Sequence, residues 1–194
     1  MALLILGMAS FMVVHLFAAF RTREAGQGLR NSLGEGLYMG LFSLLSIASL
    51  ALIVYGYGAA RPAPILYQPP VALQHLNLVL MLIAMIVLAA AYTPTGYIKR
   101  AVKHPMVLAV KIWAVGHLLA NGELNSVILF GGFLIYGVLS RIAAKRRGDN
   151  GPGPDAAVSL TGDIAAIAVG LVAYGALAFY LHPILFGVAA VPAA

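Results

Sequence analysis

The sequence predicts an all-α fold, a polytopic transmembrane helix bundle of about six spans. Of its 194 residues, 62% are hydrophobic and only 9% are charged, whereas soluble domains keep about a quarter of their residues charged. Several apolar runs also approach the ~20 residues that one helical crossing of a bilayer requires. The chain is therefore expected to form one integral membrane domain, 1–194, with the lipid bilayer as its surroundings.

Turn signals divide the apolar sequence into separate spans. Asn121-Gly122 predicts a tight turn between the fourth and fifth spans, and residues 148–155 form a linker rich in glycine and proline. The first run has no basic residue before it and arginines after it, the reverse of a cleaved signal peptide, so a retained span is expected. The predicted spans are about 2–20, 37–57, 72–92, 105–120, 124–140 and 164–188.

The basic residues are concentrated in alternate loops. Because cytoplasmic loops collect lysine and arginine, this pattern predicts that both termini lie outside the cytoplasm, which for the inner membrane of a Gram-negative bacterial cell is the periplasm. The net charge of +6 follows from that orientation, and no nucleic-acid partner is expected. Loops one, three and five hold ten of the twelve basic residues: Arg21, Arg23, Arg30, Lys99, Arg100, Lys103, Arg141, Lys145, Arg146 and Arg147.

Several kinds of chemistry are excluded by what the sequence lacks. Without cysteine there is no disulfide, no thiolate metal site and no cysteine nucleophile. No Walker loop, Rossmann fingerprint, HExxH or GxSxG motif occurs. Gly36 and Gly40 form a GxxxG pattern, which predicts close helix packing rather than phosphate binding.

The five histidines all lie within or at the edge of a predicted span, where ionisable groups often mark function. His117 is one turn after Trp113 and one turn before Asn121, on one face of an otherwise apolar helix. Its imidazole either hydrogen-bonds a neighbouring helix or polar vestibule, or serves as an axial ligand to a haem iron.

His104 and Lys111 each allow a structural and a functional interpretation. His104 precedes Pro105, which suits the first position of a helix, so His104 can be a helix-start residue at the membrane boundary. Lys111 either extends its ammonium group toward that boundary or faces a buried carboxylate or haem propionate. His104 and His117 cannot share one iron, because thirteen residues of helix separate them by roughly 20 Å.

Two further histidines lie at the depth of His117. His182-Pro183 predicts a kink or helix end, and His75, beside Gln74 and Asn77, predicts an interfacial polar cluster. On depth alone, either His75 or His182 is a suitable metal-binding partner for His117.

The chain resembles the NnrU family of bacterial membrane proteins almost end to end. The most specific part is KHPMVLAVKIWAVGHLLANGE at 103–123, and LGEGLYMG, VILFGGFLIYGVLSRI and the late LHP also match. The family is associated with denitrification, so the resemblance implies a link to a nitric oxide or nitrite reductase system. A related plant and cyanobacterial family, the 15-cis-zeta-carotene isomerases, binds haem b and acts on a lipid-soluble polyene.

The resemblance to the isomerases covers His15, His104-Pro105 and the segment from Trp113 to His117. It implies haem b as cofactor, His15 and His117 as axial ligands and His104 as a supporting polar residue. The predicted spans, however, place His15 and His117 at depths that differ by roughly 10 Å or more. The position that can be cysteine in the isomerases is Ala114 here, so thiolate ligation is excluded. Three hypotheses remain: a haem protein supporting denitrification, a haem-dependent polyene isomerase, and a cofactor-free scaffold or accessory subunit.

Overall fold

The computed structural model describes residues 1–21 and 28–191 and confirms an all-α helix bundle. Five helices are long and apolar enough to cross a membrane, and a sixth apolar helix, α6, has 16 residues. Arg23 lies outside the described residues. The helices are α1 (Ala2–Phe20), α2 (Leu29–Leu33), α3 (Glu35–Ala59), α4 (Val71–Tyr92), α5 (Tyr97–Val102), α6 (Pro105–Ala120), α7 (Leu124–Arg146), α8 (Leu160–Ala176) and α9 (His182–Phe186).

The helix boundaries follow the sequence pattern closely, with two differences. α1 and α6 match the predicted first and fourth spans. α7 continues to Arg146, six residues beyond the predicted end, because the segment after Ser140 consists largely of good helix formers and the helix leaves the apolar region without a break. α8 begins at Leu160, earlier than expected, because the hydroxyl of Ser159 caps it by accepting a hydrogen bond from the Thr161 amide at 3.2 Å.

The predicted sixth span is not one regular helix. Residues Leu177–Leu181 form a π-helical turn between α8 and α9, and the His182 amide donates to the Leu177 carbonyl. Pro183 has no amide hydrogen and its ring would clash with the Phe179 carbonyl in a regular α-helix, so the wider turn accommodates the proline. α9 ends at Gly187, whose φ of 71° is left-handed.

The six long apolar helices pack side by side in the order α3, α1, α7, α6, α4, α8. α7 lies in the middle, with α1 on one side and α6 on the other. Among the described residues, α3 and α8, the first and last helices of this order, make no helix contact with each other. The bundle therefore has an open side between α3 and α8.

The closest helix contact joins α1 and α3 through two glycines. A Cβ atom on Gly7 would lie 2.7 Å from the Ile53 amide nitrogen, and one on Gly56 would lie 2.7 Å from the Leu3 carbonyl carbon. The expectation that Gly36 and Gly40 provide such a contact is wrong, since no described residue lies within 4 Å of either Cβ position. Both glycines are exposed, so the GxxxG pattern faces away from α1.

One end of the bundle carries the basic loops and is called the basic end; the other is the far end. At the basic end the buried carboxylate of Asp163 in α8 accepts hydrogen bonds from the amides of Tyr97 and Ile98, at 2.8 and 2.9 Å. These amides are unpaired donors in the first turn of α5. Asp163 therefore fixes the loop after α4 to α8.

The far end is held by the segment between α3 and α4. α6 ends at Ala120 and α7 begins at Leu124, so Asn121-Gly122 lies in a short connection, as expected. The amide of Leu66 donates to the Gly122 carbonyl at 2.8 Å, which ties this connection to the segment between α3 and α4. Arg61 donates to the carbonyl of Phe186 at 3.1 Å. This bond connects the end of α3 to α9 across the far end of the bundle.

Candidate functional site

The sequence of α6 separates aromatic and cationic side chains onto different sides of the helix. Trp113 and His117 are four residues apart, so they share a face, and both rings contact α7. Lys111 precedes Trp113 by two residues and projects about 200° away around the helix axis. The structure therefore does not bring Lys111 together with Trp113 and His117.

His117 is held by one aromatic ring and one backbone carbonyl. Its ring stacks on Phe130 with centroids 4.5 Å apart and planes inclined by 26°, and Trp113 lies 5.3 Å away. Nδ1 donates to the Trp113 carbonyl oxygen at 3.0 Å. A carbonyl only accepts hydrogen bonds, so Nδ1 carries the proton and Nε2 keeps its lone pair. Nε2 has no hydrogen-bond partner among the described residues.

His15 on α1 has the same arrangement. Nδ1 donates to the Phe11 carbonyl at 2.9 Å, and the ring stacks on that of Phe11 at 3.8 Å. Phe42 of α3 and Tyr136 of α7 lie 5.2 and 5.8 Å from the ring. Both half-buried imidazoles thus present an Nε2 lone pair, as a metal-ligating histidine does when its other nitrogen donates to a carbonyl.

A continuous set of rings, called here the aromatic strip, connects the two histidines. Phe133 joins them, with its ring 5.0 Å from Phe11 on one side and 5.5 Å from Trp113 on the other. The strip crosses four helices, α3, α1, α7 and α6. Its members are Phe11, His15, Phe42, Trp113, His117, Phe130, Phe133 and Tyr136.

The two histidines of the strip lie at different depths. His117 contacts Phe130 and His15 contacts Tyr136, and these α7 residues are six apart, or about 9 Å along the helix axis. No single described ring contacts both imidazoles. This offset agrees with the depth difference expected from the sequence.

His182 is the first residue of α9 and directly follows the π-helical turn. Nδ1 of His182 donates to the Val188 carbonyl at 2.7 Å, and its ring lies 4.9 Å from Phe186. By the argument used for His117, this bond leaves the Nε2 lone pair of His182 free. The π-helical turn positions this residue, because it sets the direction in which α9 leaves α8.

The remaining sequence-predicted residues lie outside the aromatic strip. His104 is at the basic end, where Nε2 is 3.0 Å from the Asp149 carbonyl oxygen and 3.7 Å from its carboxylate. It begins α6 in front of Pro105, as expected of a helix-start residue. His75 is exposed in the first turns of α4. Lys111 packs its aliphatic stem on Gly137 of α7.

Two amide side chains are buried in the far-end half of the bundle; the sequence predicted Asn77 in an interfacial polar cluster and gave no signal for Asn125. Asn125 Nδ2 and Asn77 Oδ1 have no hydrogen-bond partner among the described residues, and Asn77 packs against Gly116, the neighbour of His117. The partners of the aromatic strip on α7 were also unexpected. In a helix that is apolar on all sides, Phe130, Phe133 and Tyr136 carry no periodic signal that separates them from lipid-facing residues.

No group of three or more histidine, aspartate or glutamate side chains that could hold a metal ion occurs in residues 1–21 and 28–191. The residues do suit a prosthetic group that needs only one or two protein ligands. The fold and its imidazoles define a polytopic α-helical membrane protein with preoriented histidines inside the bundle. The NnrU protein family matches residues 3–190, and the chain belongs to that family. Neither curated proteins nor solved structures give a match.

Proposed function

We propose that the protein binds haem b between its helices, with His117 as an axial ligand, and that it supports nitrogen-oxide reduction in denitrification. The observation that carries the proposal is the hydrogen bond from His117 Nδ1 to the Trp113 carbonyl. This bond fixes the tautomer and the ring orientation, so that Nε2 can bind iron without first losing a proton. Haem iron at this position would supply one-electron chemistry in an apolar environment.

The surroundings of His117 suit a flat apolar macrocycle. The aromatic strip provides ring faces from α6 and α7 beside the imidazole and continues to α1 through Phe133, and such rings pack favourably against other π systems. The open side between α3 and α8 would let the macrocycle enter the interior from the lipid without passing the basic end or the far end.

The second axial position has two candidates in this chain. His15 is the residue that the family resemblance implies, and it offers a free Nε2, but it lies about 9 Å deeper along α7. His182 is the candidate at the depth that the sequence predicts for His117, and its bond from Nδ1 to the Val188 carbonyl also leaves Nε2 free. His117 is the fixed ligand, and the spectra of the His15 and His182 single variants assign the second.

Purified protein reconstituted with haem tests the proposal directly. The wild type is expected to show a Soret band, and His117→Ala is expected to lose it while remaining folded by circular dichroism. Of His15→Ala and His182→Ala, the variant that converts a six-coordinate spectrum into a five-coordinate one identifies the second ligand. His75→Ala is the matched control, because this exposed histidine touches no ring of the strip. A folded wild type that takes up no haem would refute the proposal and favour the cofactor-free scaffold.

Orientation and cellular role belong to the same proposal. The basic end faces the cytoplasm and both termini face the periplasm, because the sequence predicts ten of the twelve basic residues in loops one, three and five, which share one side of the membrane. A strain carrying His117→Ala is expected to accumulate nitric oxide or nitrite during anaerobic growth, as a deletion strain would. Normal nitrogen-oxide turnover in the deletion strain would refute the role in denitrification and leave haem binding untouched.

A second function is supported by the open side between α3 and α8. A lipid-soluble polyene could reach the aromatic strip from the bilayer, as the related isomerases require of their substrate. Ala114, which is fully buried, excludes any step that needs a thiolate. Product formed from a cis-polyene only when the iron is reduced would establish the isomerase, and an intact haem protein without such turnover would exclude it.

A further inference from the structure

We propose that the groove between α6 and α7 binds the phosphate of an anionic membrane lipid at the basic end, through Lys111 and Arg141. Lys111 lies in the second turn of α6, and Arg141 lies in the final turns of α7. Both are therefore inside the apolar length of their helices, yet near the end where the basic loops emerge. The proposal is independent of haem binding.

Gly137 makes the groove deep enough for a lysine stem. A Cβ atom at Gly137 would be 2.7 Å from Cγ of Lys111 and 3.7 Å from the Val107 carbonyl oxygen, so the lysine chain crosses α7 at a position without a side chain. Arg141 is one turn further along α7, on nearly the same side of that helix, about 6 Å nearer the basic end.

The directions of the two side chains bring their charges together. Side chains lean toward the N-terminus of their own helix, and α6 and α7 are consecutive helices packed antiparallel. Lys111 therefore leans toward the basic end, and Arg141 leans back toward Lys111. Two cations that converge in an apolar groove repel each other unless an anion lies between them.

No described residue supplies that anion. Three of the five carboxylates in the described ranges already have partners: Glu35 pairs with Arg30, Asp149 contacts His104, and Asp163 accepts hydrogen bonds from α5. The other two lie outside the groove, Glu123 at the far end and Asp155 in the linker before α8. Neither Lys111 nor Arg141 has a hydrogen bond or ion pair in the described structure, and Nη1 of Arg141 is buried without a partner.

A lipid phosphate satisfies this arrangement better than a soluble anion. The groove faces away from Trp113 and His117, so it opens on the outer surface of the bundle, and the residues beside it are lipid-facing and apolar, including the exposed Val115 and Val138. Lysine and arginine near a helix end bind anionic head groups from the cytoplasmic leaflet. A head group there would place its acyl chains along α6 and α7.

The test measures lipid binding by native mass spectrometry and thermal stabilisation in mixed micelles. Cardiolipin or phosphatidylglycerol is expected to bind the wild type in preference to phosphatidylcholine, and K111Q/R141Q is expected to bind the anionic lipid about 30-fold more weakly, about fivefold for each lost contact. R100Q/R146Q removes the same charge from exposed positions outside the groove and should retain the preference. K111R/R141K keeps both cations and should also retain it.

Three results would overturn the proposal. The first is a wild type without preference for anionic lipid, which needs no variant and so does not depend on how the variants fold. The second is an equal loss of binding in R100Q/R146Q, because the effect would then be one of net charge. The third is a K111Q/R141Q protein that loses haem but keeps its lipid preference, which would assign the two cations to a cofactor carboxylate.

Discussion

The imidazole of His117 lies almost parallel to the ring of Phe130, with centroids 4.5 Å apart, and this contact joins α6 to α7 at the candidate site. Stacking fixes the plane of the imidazole, while the bond from Nδ1 to the Trp113 carbonyl fixes its rotation. The ring therefore has one orientation before any ligand arrives. Such preorganisation lowers the cost of binding.

Phe130→Ala is expected to weaken haem binding without removing the ligand. The imidazole would lose its stacking partner and regain rotational freedom, and loss of a ring contact costs about 0.5–1.5 kcal/mol beyond the area buried. Haem titration should show an affinity lower by about threefold or more. Phe179→Ala, at an exposed position, is the control, and equal affinities in the two variants would contradict the role given to Phe130.

Asp163→Asn is expected to lower the free energy of unfolding by about 1.5–3 kcal/mol. The carboxylate makes two charge-assisted hydrogen bonds to the first amides of α5, and an amide side chain can replace at most one of them with an oxygen acceptor. Thermal unfolding in detergent measures the change. Asp155→Asn changes an exposed linker residue and should leave the midpoint of thermal unfolding unchanged within error. An equal loss of stability in Asp155→Asn would indicate a general effect of charge.

Gly56→Ala is expected to destabilise the protein by about 1–3 kcal/mol, because the added methyl group meets the backbone of Leu3 and Leu4 and not a flexible side chain. Gly58→Ala provides a close comparison, since no described residue lies within 4 Å of its Cβ position. That variant should be unchanged or up to about 1 kcal/mol more stable, from the better helix propensity of alanine. Unfolding of both variants in the same detergent distinguishes these outcomes.

The free energy of unfolding is expected to depend on Tyr67 at alkaline pH. Burial raises the pKa of its hydroxyl above the usual value of 10.0, and the hydroxyl donates to the carbonyls of Leu118 and Asn121. The folded state therefore holds the hydroxyl proton more tightly than the unfolded state does. The stability that this proton contributes is complete below about pH 10, and it is lost as the pH rises through the raised pKa of the folded state. Tyr67→Phe should lack this part of the loss, which begins above about pH 10, as measured by unfolding at each pH. Parallel curves for the two proteins would contradict the assignment.

Arg61→Gln is expected to release the far-end connection between α3 and α9. The guanidinium group donates to the Phe186 carbonyl and to the Tyr57 hydroxyl, at 3.1 and 3.3 Å. Without these bonds, amide hydrogen exchange in residues 177–191 should accelerate, while exchange in α6 stays unchanged. Arg100→Gln removes an exposed charge at the basic end as a control. Unchanged exchange in residues 177–191 would show that packing alone holds α9.

The sequence predicted the helices well because hydrophobicity and length determine a membrane span. It placed the ends of α1 and α6 correctly, where a proline or a basic residue marks the boundary, and missed the last turns of α7, where helix propensity continues past the apolar run. Which helices are neighbours could not be predicted. Apolar residues face lipid and protein alike in these helices, so Gly56 carried no more signal than Gly36, and only the former contacts another helix.

The site was predicted in part. The face shared by Trp113 and His117 followed from helical periodicity, and the depth difference between His15 and His117 followed from the predicted spans. The position of His182 depends on the π-helical turn after α8, and that turn has no sequence signature other than Pro183. Whether these imidazoles bind haem stays a prediction until the purified protein is measured.

The central position of α7 has a consequence for how the chain assembles as it is made. The pair formed by α1 and α3 has no helix contact with α4, α6 or α8 among the described residues, and only α7 touches both groups. α1 and α3 therefore lie in the lipid without a contact to the rest of the bundle until residues 124–146 have been synthesised and inserted. The environment of His15, encoded near the start of the chain, is completed only when one of the last helices arrives.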